Sequence, residues 1–119
     1  MRVLVCDDDE IVLKVAQLTL HQQNIEVVLV RDGMQALEQL RKDTHFDLII
    51  TDIHMPYYTA DDVLNLIRKE QGKQTPIIIV SSDGEEEVIA YALKQGVNDF
   101  IVKPVSSEKL LKKIKPFMV

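Results

Sequence analysis

Three aspartates in succession, Asp7-Asp8-Asp9, close an apolar run near the start of the chain, and a fourth, Asp52, closes another. Ser81-Ser82 end a later run and Lys103-Pro104 follow the last one. Carboxylates, hydroxyls and an ammonium are the groups that hold a hard cation and receive a phosphoryl group. Mg2+ takes oxygen ligands, commonly one or two carboxylates completed by waters and a substrate phosphate. Beside such an ion a carboxylate such as Asp52 can attack phosphorus. The Lys103 ammonium would offset charge on the equatorial oxygens, and the Ser81 hydroxyl would donate to one of them. Singly, each residue has an ordinary explanation, since acids cap helices, serines begin turns and lysines face water. They gain meaning only if the fold gathers them on one rim.

Were they gathered, the energetics would demand a partner. Three carboxylates about 5 Å apart repel by roughly 3 kcal/mol per pair at an effective dielectric near 20. Over three pairs that is about 10 kcal/mol before solvent screening, comparable with the stability of a whole domain. A divalent cation or protonation has to relieve it, and a cation also attracts phosphate.

The elements that would do the gathering are legible as an alternation. Apolar runs rich in Val and Ile at Arg2–Cys6, Glu26–Val30, Asp47–Thr51, Pro76–Ser81 and Asp99–Val102 read as buried strands. After each comes a segment with apolar residues three or four apart. Ile11, Val15 and Leu18 mark the first helix, and Ala36, Leu37 and Leu40 the second. Val63, Leu64 and Ile67 mark the third, Val88, Ile89, Ala92 and Leu93 the fourth, and Leu110, Leu111 and Ile114 the fifth. Thr59-Ala60-Asp61-Asp62 has the form of a helix-capping box and Gly96 that of a helix stop. Strands apolar on both faces, alternating with helices, predict an α/β fold: a doubly wound, five-stranded parallel sheet with helices on both faces and right-handed crossovers. Ligands of such sheets sit beyond the carboxyl ends of the strands, where strand order reverses. Every chemically promising residue falls at such an end.

Composition narrows the classes further. The 119 residues, 46% hydrophobic and 28% charged, predict one domain over residues 1–119, with no second output domain expected within them. A formal charge of −5 argues against direct nucleic-acid binding, which relies on Lys and Arg displacing counterions. The single cysteine, Cys6, cannot form an internal disulfide and reads as a small buried thiol in a reducing compartment. The N-terminal run meets its aspartates too early for a signal peptide, and no run approaches the roughly 20 apolar residues of a spanning helix. A cytoplasmic protein without membrane contact is expected. His21 and His45 lack partners at metal-ligand spacing, and Lys109, Lys112, Lys113 and Lys115 read as a solvated face of the last helix.

Four motifs in order, Val3-Leu4-Val5-Cys6-Asp7-Asp8-Asp9, Asp47-Leu48-Ile49-Ile50-Thr51-Asp52-Ile53-His54-Met55-Pro56, Pro76 through Ser81, and Gly96 through Pro104, span most of the chain. Together they resemble the receiver domains of two-component response regulators, including those of chemotaxis. The resemblance implies a flavodoxin-like (βα)5 fold and a signalling phosphoacceptor that catalyses only its own phosphorylation and dephosphorylation. Asp52 would be the phosphoacceptor. Asp7, Asp8 and Asp52, with the carbonyl of His54, would hold Mg2+, Asp8 being the direct ligand of the acidic pair. Lys103 and Ser81 would steady the phosphoryl group, Ser81 and Phe100 would form the switch, and the Lys103–Pro104 bond would be cis. A sensor histidine kinase or phosphotransfer protein would be the donor. A downstream protein or effector domain would bind the surface of the fourth helix, fifth strand and fifth helix, which also suits a homodimer.

Some positions depart from the family pattern. Phe100 stands where Tyr is common, so no phenolic hydrogen bond can form, and in Tyr57-Tyr58-Thr59-Ala60 the pair Thr59-Ala60 replaces the usual Asp-Gly turn. His54 and Asp83, two residues beyond the acceptor and the switch hydroxyl, match positions linked in the family to phosphoryl lifetime. Three rival readings remain open on the sequence. Asp7-x-Asp9 faintly resembles the D-x-D signature of haloacid-dehalogenase-like phosphatases, though Glu10-Ile11 follows in place of Gly-Thr. A flavodoxin-like electron carrier would need a phosphate cradle where three aspartates stand. A receiver that serves as a constitutive docking domain would gain no phosphoryl group.

Overall fold

A computed structural model describes residues 1–42, 45–53, 60–82 and 86–118, with backbone alone at 60 and 61. Five strands, β1 (Arg2–Cys6), β2 (Glu26–Val30), β3 (Leu48–Asp52), β4 (Ile77–Ser81) and β5 (Asp99–Val102), alternate with five helices. These are α1 (Glu10–Gln22), α2 (Gly33–Lys42), α3 (Ala60–Asn65), α4 (Glu86–Lys94) and α5 (Ser107–Ile114). A π-helical turn, Leu66–Glu70, prolongs α3, and a 3-10 turn, Lys115–Phe117, prolongs α5. All pairings are parallel, in the order β2-β1-β3-β4-β5. This is the doubly wound sheet expected from the alternation. Its order reverses between β1 and β3.

Alternate strand residues feed two cores. Leu4, Cys6, Ile49, Ile77 and Ile79 pack with Ala36, Leu37 and Leu40 of α2, Val63 and Leu64 of α3 and Ile89 of α4. Val3, Val5, Leu48, Ile50, Ile78 and Ile101 turn the other way, onto Leu13, Ala16 and Leu20 of α1 and Leu110 and Ile114 of α5. Each fully buried Ile or Leu contributes about 2 kcal/mol of transfer free energy. Both faces of every central strand are therefore anchored, which fixes the strand ends on which the site depends.

Local signals set the helix starts. Asp9 caps α1, its side chain accepting from the Ile11 N–H at 2.9 Å. Asp32 does the same for α2 through the Gln35 N–H at 2.8 Å, and Ser106 for α5 through the Lys109 N–H at 3.2 Å. Gly96, past the end of α4, adopts φ 112°, a conformation that favours glycine. α3 starts at Ala60, where the capping signal places it, although Thr59 itself lies outside the described residues.

Two expectations need correction. The stripe taken to mark α1 is its wet side: Ile11 and Leu18 are 74% and 56% exposed, whereas Val12, Leu13, Ala16, Thr19 and Leu20 are buried. This helix is apolar around most of its girth, so spacing alone fits two stripes and only packing against the sheet selects one. Likewise, in α4 Ile89 and Ala92 are buried while Val88 and Leu93 are exposed. β3 also ends one residue later than expected, because Asp52 still pairs with Val80 and the Ile53 N–H donates to the Val80 carbonyl at 3.2 Å. No helix among the described residues is long and apolar enough to cross a membrane.

Candidate functional site

The strand order sets β1 beside β3, so Asp7, one residue past β1, stands next to Asp52 at the end of β3. Asp7 is held through both its peptide unit and its side chain. Its N–H donates to the Val30 carbonyl at 3.1 Å, and its Oδ1 accepts from the Asp9 N–H at 2.9 Å. Asp7, Asp8 and Asp52 each offer a carboxylate oxygen, and these oxygens lie within 4.8 Å of one another. Asp7 is 1% exposed and Asp52 8%, whereas Asp8 faces solvent. Asp9 is occupied as the α1 cap, which separates its role from that of its two neighbours.

Lys103 reaches this cluster from the turn after β5. Its Nζ donates to Asp52 Oδ2 at 3.2 Å and lies 3.5 Å from Asp7 Oδ2. The turn is tied to β4 by the Lys103 N–H, which donates to the Ser81 carbonyl at 2.7 Å. Lys109 Nζ donates to the carbonyls on either side, Val102 at 3.4 Å and Pro104 at 3.2 Å. The Lys103–Pro104 bond is cis. Ser81 is fully buried at the end of β4. A cleft of about 390 Å³ adjoins the rim, walled by Ile11, Val12, Ser82, Lys103, Pro104 and Val105.

The electrostatics pull in one direction. Burial pushes the Asp7 carboxyl up to about 7; the Asp9 N–H and Lys103 oppose this, and the charge on Asp52 adds to it. Burial lowers the Lys103 ammonium, but the carboxylates of Asp52 and Asp7 outweigh it, and the net shift is upward. Two buried atoms lack a hydrogen-bond partner here among the described residues, Asp7 Oδ2 and Ser81 Oγ. Unpaired buried acceptors and hydroxyls are costly and uncommon. Cys6, just beneath, is inert: burial pushes its thiol up to about 12.

Phe100, on β5, is partly buried against the α2–α3–α4 core. Contrary to the solvated-face expectation, Lys113 of α5 is engaged: its Nζ lies 5.0 Å from the Phe100 ring centroid and 3.0 Å from Asp99 Oδ1. The same Asp99 oxygen accepts from the Phe100 N–H at 2.8 Å. No spacing rule links a strand residue to a lysine on the following helix, so the residue pattern carries no sign of this contact. His54, Tyr57, Tyr58, Thr59 and Asp83 lie outside the described residues, and so does the side chain of Ala60. His21 is exposed, as expected.

A doubly wound parallel sheet with a carboxylate trio and a lysine on one rim places the chain among α/β modules that gather charged side chains beyond the carboxyl ends of their strands. Within that class the chain belongs to the response regulator receiver domain family, whose profile matches residues 3–115. It is 32% identical over 117 residues to the chemotaxis protein CheY1 of Helicobacter pylori, covering 97% of this chain and 94% of that one. It is also 35% identical over 115 residues to the CAI-1 autoinducer sensor kinase/phosphatase CqsS of Vibrio cholerae. That match covers 95% of this chain but spans only 17% of the relative's length. Among solved structures, the chemotaxis response regulator CheY4 of Vibrio cholerae superposes with a TM-score of 0.87 at 30% identity, covering 98% of both chains.

Proposed function

We propose that Asp52 accepts a phosphoryl group from a phosphohistidine on a sensor histidine kinase or phosphotransfer protein, in a Mg2+-dependent reaction. The observation that carries this reading is the carboxylate trio within 4.8 Å, one of whose oxygens, Asp7 Oδ2, is buried, makes no hydrogen bond among the described residues and has the Lys103 ammonium only at 3.5 Å. A hard cation is the partner that such an oxygen set fits. Asp7, Asp8 and Asp52 would hold it, with the His54 carbonyl as a further ligand. When bound, the ion supplies the positive charge that relieves the mutual repulsion of the carboxylates and draws in phosphate oxygens.

The chain's own residues do the rest. A carboxylate oxygen of Asp52 bonds to phosphorus as the P–N bond to the donor imidazole breaks, and the departing nitrogen keeps the electron pair and takes a proton. Lys103, already within 3.2 Å of Asp52, stays beside the new charge and steadies it. The Ser81 hydroxyl, which makes no hydrogen bond among the described residues, then has an acceptor to which it can donate.

The modification adds about −1.5 to −2 charges at one point. Carrying a two-state domain from 1:99 to 99:1 takes about 5.5 kcal/mol, which a few charge-assisted hydrogen bonds can supply. Ser81 precedes α4 and Phe100 lies on β5, so the face of α4, β5 and α5 would change. Val88 and Tyr91, three residues apart on one side of α4, are exposed and would offer apolar contacts to a downstream protein or effector domain. Incubation with Mg2+ and acetyl phosphate, followed by intact-mass measurement, tests the reading. The unmodified chain should gain one phosphoryl group and Asp52→Asn none; equal gain in both would refute it.

A further inference from the structure

Phe100 has no hydroxyl, so a hydrogen bond from its ring cannot hold it in either of two positions. The structure shows another polar tether. Lys113 Nζ sits 5.0 Å from the ring centroid, and Asp99 Oδ1 fixes that ammonium at 3.0 Å while also accepting the Phe100 N–H at 2.8 Å. Both charged side chains are about one-third exposed, so water screens the pair only in part. Three residues on two elements, β5 and α5, thus form a closed loop around one ring. We infer that Lys113, oriented by Asp99, is a positioning residue that restrains Phe100 in the phosphoryl-free arrangement and so sets the threshold for switching.

The inference rests on the reading of Asp52 as acceptor and adds to it a regulator of the conformational response. Coupling between sites is reciprocal in binding free energy. If the ring must leave the Lys113 ammonium for the active arrangement, the clamp opposes every ligand that favours that arrangement, a phosphoryl mimic at Asp52 included. Removing the ammonium should therefore tighten the mimic. The size follows from a partly exposed cation–π contact and an exposed ion pair, which together correspond to about fivefold.

The test uses the full chain with Mg2+ and beryllofluoride as the phosphoryl mimic. It also uses 19F NMR of fluorophenylalanine-labelled protein, in which the three phenylalanines give three signals. Lys113→Met should tighten beryllofluoride about fivefold and move the ligand-free Phe100 signal toward its bound position. Lys113→Arg, which keeps a cation able to lie over the ring, should restore both to within about twofold. In a Phe100→Ala background, Lys113→Met should change affinity by less than about twofold. An unchanged Phe100 signal and affinity in Lys113→Met would overturn the inference, as would an equal tightening in the Phe100→Ala background. Failure of the unmodified chain to bind beryllofluoride or to take a phosphoryl group from phosphoramidate would instead overturn the acceptor reading, and the clamp with it.

Discussion

The two ends of the sheet handle charge in opposite ways. At the amino ends of the strands, polar groups are tied off. The Arg2 N–H donates to Asp47 Oδ2 at 2.7 Å, its guanidinium pairs with Glu26 at 2.7 Å and lies 4.6 Å from the Phe46 ring centroid. Arg68 donates to the carbonyls of Lys73, Thr75 and Gly96 and to Asn98 Oδ1, and that Asn98 oxygen also accepts from the Ile77 N–H. Gln71 Oε1, buried and without a hydrogen-bond partner among the described residues, is an exception there. At the carboxyl ends, three carboxylates crowd together, one lysine answers them, and a buried hydroxyl and a buried carboxylate oxygen go without a hydrogen-bond partner among the described residues. One end uses its polar groups to hold the fold; at the other, on the function proposed above, they would serve a ligand.

Substitutions at the two ends should separate stability from chemistry. The largest effect is expected from Arg68→Ala, which strips four hydrogen bonds from three backbone carbonyls and one amide oxygen. It should cost about 3 kcal/mol in urea denaturation, yet leave the phosphorylation rate with phosphoramidate within about twofold of the unmodified chain. Lys103→Met should do the reverse, slowing phosphorylation on the order of 100-fold, or about 2.7 kcal/mol of barrier, with little loss of stability.

A smaller effect, opposite in sign to ordinary damage, is expected at Asp7. Its folded-state pKa of about 7 lies above the ordinary value of 3.8, so the native chain keeps a proton that the unfolded chain has already lost. In EDTA, stability should therefore fall as pH rises from about 4 to about 7 and level off beyond. Asp7→Asn should flatten that window and raise stability at pH 8 by roughly 2 kcal/mol, measured by denaturation. Mg2+ should stabilise the unmodified chain more than the variant. A variant that is less stable in EDTA would show that Asp7 belongs with the tied-off end after all.

What the sequence disclosed follows the same division. Branched apolar runs such as Ile77-Ile78-Ile79-Val80 are too short for helices and too apolar for exposed loops, and as buried strands they set Asp7, Asp52, Ser81 and Lys103 at strand ends by residue pattern alone. Contacts that depend on packing were out of reach. Which stripe of α1 is buried depends on the sheet beneath it, since Ile11 and Leu18 fit the helical period as well as Val12, Ala16 and Leu20 do. The Asp99–Lys113–Phe100 loop joins a strand to a helix with no periodic signal, so Lys113 has the sequence context of a solvated charge. The resemblance already leaves Asp9 out of the acidic trio, but its service as the cap of α1 needed the geometry of that helix.

The measurement that bears most directly on the central claim is chemical trapping of the phosphorylated chain. After treatment with Mg2+ and phosphoramidate, borohydride reduction converts an aspartyl phosphate to homoserine, and peptide mass spectrometry reads its position. Homoserine is expected at position 52 alone, and only when Mg2+ is present. Homoserine at position 7 or 8, or phosphate recovered on a serine or histidine instead, would contradict it.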